Sequence, residues 1–70
     1  MRYAIVIEAG EGNYSAYVPD LPGCIATGKT LEEVKRNMAG AIALHLEGMR
    51  EDGDPVPAAT TLCDYIEVAA

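Results

Sequence analysis

Residues 14–33 read YSAYVPDLPGCIATGKTLEE, and three local signals within them decide the fold. Tyr14 to Val18 reads as a short strand, with Tyr14, Ala16 and Val18 on one face and Ser15 and Tyr17 on the other. Leu21-Pro22-Gly23-Cys24 suits a type II turn: Pro22 presets φ at the second position and Gly23 supplies a positive φ at the third. Pro19 lacks a ladder N–H, so it ends the strand or lies on an edge. A further short strand, Cys24 to Thr27, leaves the turn. Thr30-Leu31-Glu32-Glu33 is then a capping box: the Thr30 hydroxyl accepts from the Glu33 amide, and Glu33 reaches back.

Working outward, Arg2 to Ala9 alternates as a strand, with Tyr3, Ile5 and Ile7 facing one way and Ala4, Val6 and Glu8 the other. Gly10-Glu11-Gly12-Asn13 supplies the turn residues of a hairpin into the strand Asn13 to Val18. Beyond the capping box, Leu31, Val34, Met38, Ile42, Leu46 and Met49 form the stripe of an amphipathic helix. Gly53 stops it, and Pro55 and Pro57 prevent its resumption. Leu31 to Asp52 at 1.5 Å per residue is about 33 Å, longer than the strands beneath it, so its last turns overhang the sheet. Thr61 to Val68 alternates again, with Leu62, Ile66 and Val68 opposed to Cys63 and Tyr65.

The expected fold is α+β in the order β-β-β-α-β, one domain over residues 1–70. A right-handed crossover through the helix brings the fourth strand beside the first, for a sheet order 3-2-1-4 with the helix on one face. The other face then carries Val6, Tyr17, Ile25 and Tyr65. Apolar residues on an uncovered face, with two open edges, point to binding of other chains, a second copy included.

Composition narrows the function. Seventy residues give a marginal core, and self-association is the natural supplement. The net charge of −6 comes from 11 acids against five scattered Lys and Arg. Nucleic-acid binding needs clustered cations, so it is not expected. An acidic surface favours a basic protein partner. Cys24 and Cys63 are far apart, outside any metal-ligand spacing, and read as free thiols in a reducing cytoplasm. No signal or spanning segment is visible, so the expected location is cytoplasmic.

No catalytic site, metal or cofactor is expected. The single histidine, His45, sits at the margin of the helix stripe, with no nucleophile at a matching spacing. Glu8 and Asp64 raise the alternative of a metal-dependent nuclease. With parallel first and fourth strands, however, Asp64 lies opposite Ile5, about 10 Å along the strand from Glu8, too far to share an ion pair.

At Tyr14, Ala16, Pro19-Asp20-Leu21-Pro22-Gly23-Cys24, Gly28, Thr30-Leu31-Glu32-Glu33 and Pro55-Val56-Pro57 the chain resembles the HicB antitoxin family. The resemblance implies a truncated ribonuclease-H-like arrangement without a catalytic centre. It also implies neutralisation, by direct binding, of a HicA-like toxin, a small basic ribonuclease that cleaves messenger RNA. It further implies a dimer or tetramer. Family members often carry a C-terminal DNA-binding module. This chain ends at Ala70, and no direct DNA binding is expected of it. The expected partner contacts are Tyr17, Asp20, Leu21, Pro22 and Cys24: an aromatic anchor beside a rigid turn that loses little entropy on binding. The alternative outside the toxin reading is an oligomeric regulatory or scaffold domain.

Overall fold

Three antiparallel strands lead into one long helix in the computed structural model, which describes residues Met1–Ala70. The strands are β1 (Val6–Ala9), β2 (Tyr14–Tyr17) and β3 (Ile25–Gly28), and the helix is α1 (Leu31–Glu51). The sheet order is β1-β2-β3. Gly12, at φ 76°, makes the first connection possible, and the Gly10 amide donates to Asn13 O at 2.9 Å. The second connection is the expected turn. Gly23 has φ 83°, and the Cys24 amide donates to Leu21 O at 3.1 Å. Two more bonds, Leu21 N to Val18 O and Val18 N to Cys24 O, close the loop on itself.

Register sorts the side chains. Ile7, Ala16 and Ala26 lie in one row across the sheet, and Ala9, Tyr14 and Gly28 in the next row of the same face. That face takes the helix. Its core is Ala16, Val18, Leu21, Cys24, Val34 and Met38, with Ile5, Ile7, Ile42 and Leu46 packed around it. Gly28 brings strand and helix together: a Cβ there would lie 2.5 Å from the Val34 backbone nitrogen. Only a residue without a side chain permits that approach. The Asn37 amide adds a tie from α1 to Thr27 O at 2.8 Å.

Both helix ends follow from their residues. The Glu33 amide donates to Thr30 Oγ1 at 3.0 Å, and Glu32 and Glu33 face the positive end of the dipole. At the other end Gly53 takes φ 74°. Its amide reaches Arg50 O at 3.2 Å, and the Asp54 amide reaches Met49 O at 2.9 Å. That is the Schellman pairing, which satisfies two carbonyls a helix end leaves open. Only Val34 and Met38 of α1 are fully buried, both in its first half. Leu44 further along is 72% exposed, in keeping with a helix that outruns its sheet.

The fourth strand expected over Thr61–Val68 is not part of this sheet, so the order 3-2-1-4 is not realised within one chain. Residues 54–70 have no regular secondary structure. Their start is nonetheless tied down. The Tyr3 hydroxyl donates to Pro57 O, and Thr60 and Thr61 are held by Asp20. From Leu62 onward every residue is exposed. Alternation makes a segment competent to pair, but a strand exists only where a second backbone meets its N–H and C=O groups. Tyr65, expected on the open sheet face, accordingly lies outside the sheet.

Candidate functional site

The face of the sheet turned away from α1 carries two rows. Val6, Tyr17 and Ile25 are cross-strand neighbours, and Glu8, Ser15 and Thr27 form the row beside them. Nothing in the chain covers them. Tyr17 is 43% and Ile25 68% exposed, and Val6 is half-buried at the β1 edge. An apolar row set against a polar row is the composition of a contact surface: the first gains by losing water, and the second keeps hydrogen bonds available at the rim. Period-two register alone generates it, because each inward Ala or Gly forces its neighbours outward.

The turn residues divide. Pro22 is exposed at the tip of the loop beside β2 and β3. Leu21 and Cys24, expected among the contacts, are instead sealed in the core at 0% and 3% exposure. The reason is the tight turn between them, which folds both flanking side chains back under the sheet. Burial pushes the Cys24 thiol above its ordinary value, so it stays protonated and unreactive. These two residues hold the loop in place; they do not reach a partner.

Asp20 has a different role. Its carboxylate accepts four hydrogen bonds from the chain 40 residues on. The Thr60 and Thr61 amides donate to Oδ2 at 3.1 and 3.0 Å, and the two hydroxyls donate to Oδ1 at 3.2 and 2.7 Å. The amide of Thr61, then its hydroxyl, hold the carboxyl below the usual carboxylate range, with Thr60 assisting against a small desolvation cost. Asp20 is thus a staple between the Val18–Cys24 loop and the C-terminal segment. A single sequence contains no signal for it, since Asp20 and the Thr60-Thr61 pair are joined only by folding.

Neither carboxylate of the nuclease alternative gains a partner for metal chemistry. Asp64 accepts from the Tyr65 amide at 2.7 Å, and no three His, Cys, Asp or Glu side chains converge as a ligand set would. His45 lies half-buried on the helix margin. No helix is long and apolar enough to cross a membrane.

Comparison with known proteins adds the context. Residues 3–69 match a family described as the HicB_like antitoxin of bacterial toxin-antitoxin systems. An uncharacterized 14.9 kDa protein of Haemophilus phage HP1 is 42% identical over 94% of this chain, which spans only 50% of that protein. A UPF0150 protein of Helicobacter pylori is 47% identical over 67% of the chain and 65% of its own length. One of Archaeoglobus fulgidus is 46% identical over 77% of the chain and 83% of its own length. Among solved structures, a chain of the HicA3 and HicB3 toxin-antitoxin complex superposes with a TM-score of 0.71 at 31% identity. The match covers 89% of this chain and 70% of that one.

Proposed function

The chain belongs to the HicB-like antitoxin family, and from that membership we propose that it neutralises a HicA-like ribonuclease by binding it directly. The observation that carries the reading is the uncovered sheet face, an apolar row beside a polar one on a chain of net charge −6. A ribonuclease must present cations to hold RNA phosphates. An acidic chain offers those cations an alternative ligand, with fast encounter and correct orientation as the main electrostatic gains. Tyr17 and Ile25 supply the desolvated anchor, and Pro22 supplies a rigid shoulder next to it. Asp20 contributes by fixing that shoulder, and Leu21 and Cys24 by supporting it from below. A truncated ribonuclease-H-like ancestry of the sheet fits this use, in which the scaffold persists and the surface does the binding.

The test is co-expression with the small basic protein encoded beside this chain, followed by purification through a tag on either one. The expected result is a stable complex and restored growth of cells expressing the basic protein. Absence of both overturns the reading. Tyr17→Asp with Ile25→Asp, which alters no buried side chain, is expected to abolish the complex while leaving the helical signal of the free chain unchanged.

A further inference from the structure

The segment beyond Thr61 is a strand without a sheet. Leu62, Tyr65, Ile66 and Val68 are 94%, 95%, 84% and 76% exposed, more apolar surface than the rest of this small molecule leaves open. Nine residues from Leu62 to Ala70, extended, reach about 30 Å, over twice the span of a four-residue strand of the sheet. The radius of gyration is 13.7 Å, against about 11 Å for a compact chain of this length. The arm is launched from a fixed point, because Asp20 holds Thr60 and Thr61 and Tyr3 holds Pro57.

The sheet, for its part, has an edge without a strand. One side of β1 pairs with β2, and the other pairs with nothing. The arm passes that open edge at a distance. Cys63 Sγ comes only to 3.9 Å from Ile5 O, and no backbone ladder forms between them. A slot lies between the two, walled by Ile5, Val6 and Ile7 on one side and by Leu62, Cys63 and Tyr65 on the other. Both walls are largely apolar and both carry unpaired backbone.

We propose that this slot receives the C-terminal arm of a second copy of the chain, each copy placing its arm along the β1 edge of the other. Several features single out a second copy as the occupant. Each copy has one arm to give and one edge to fill, so a two-fold exchange satisfies both without remainder. The arm's own start is stapled where it cannot close the slot, yet its length carries it past its own sheet. An isologous dimer joined this way has a continuous sheet through the two arms, and neither β1 edge is left as a template for open-ended pairing. The order expected within one chain, with the fourth strand beside the first, is then met between two chains. The exchange uses the β1 edge and leaves Tyr17 and Ile25 free, so it stands or falls independently of toxin binding.

Sedimentation of the full chain, combined with hydrogen exchange of its amides, tests the proposal. The expected result is a dimer in which the amides of residues 62–68 and of the outer edge of β1 exchange slowly. Ile66→Asp with Val68→Asp lies outside the core. It is expected to weaken self-association by about 100-fold, the loss of two buried aliphatic side chains, and to restore fast exchange in the arm. The helical signal should not change. A monomer at millimolar concentration, a dimer whose arm amides exchange freely, or an arm variant that dimerises like the original chain would each overturn it.

Discussion

The body of the molecule, residues 1–53, and the arm after Thr61 are built on opposite terms. In the body every polar backbone group is answered close by: each turn by its own glycine, each helix end by its own cap. The buried residues, Leu21 and Met38 among them, lie within a few residues of a turn or cap that fixes them. The arm has the same alternation as β1 or β2 and no partner. Local chemistry suffices to fold the first region. The second waits on another backbone. The difference teaches that a strand-competent sequence specifies a face and a reach, and that the sheet it joins is settled elsewhere.

That contrast breaks first if the body proves insensitive. Leu21 is fully enclosed, and Leu21→Ala is expected to cost about 3 kcal/mol in urea unfolding. A loss under a third of that would mean the loop is not a core element. Thr30→Ala removes the acceptor for the Glu33 amide and should cost about 1 kcal/mol by the same measurement.

The junction between the regions is sharpened by pH. The Asp20 carboxyl is held below its ordinary value in the folded chain. Its contribution is therefore complete above the unfolded value of about 3.9 and is lost as pH falls through the lower folded value. Exchange of the Thr60 and Thr61 amides should accelerate over that acidic window, beyond the intrinsic effect of pH. In Asp20→Asn it should already be fast at pH 7. If both amides stay protected in that variant, Asp20 is not the staple. The smallest effect belongs to the arm. In dilute monomer, Ile66→Ser is expected to change unfolding stability by no more than about 0.5 kcal/mol. A loss comparable to that of Leu21→Ala would place the arm inside the body after all.

Much of the body was legible from residues alone. Pro22-Gly23 dictated the turn, Thr30 to Glu33 the helix start and Gly53 its end, because each acts within four residues of itself. The open face with Val6, Tyr17 and Ile25 followed from period two. What could not be read depends on distant chain. The burial of Leu21 and Cys24 requires knowing that the loop curls under the sheet. The Asp20 staple joins residues 40 apart. The failure of Thr61–Val68 to enter its own sheet turns on where that staple launches the arm. Of the five expected contacts, Tyr17 and Pro22 stand on an accessible surface, Asp20 is engaged within the chain, and Leu21 and Cys24 are enclosed.

The central claim is that the bare sheet face blocks a basic ribonuclease. The direct measurement is RNA cleavage by the HicA-like protein encoded beside this chain, titrated with the chain and with its Tyr17→Asp, Ile25→Asp variant. The account predicts that the chain stops cleavage at equimolar ratio and that the folded variant leaves cleavage running. Equal inhibition by both, or none by either, would contradict it.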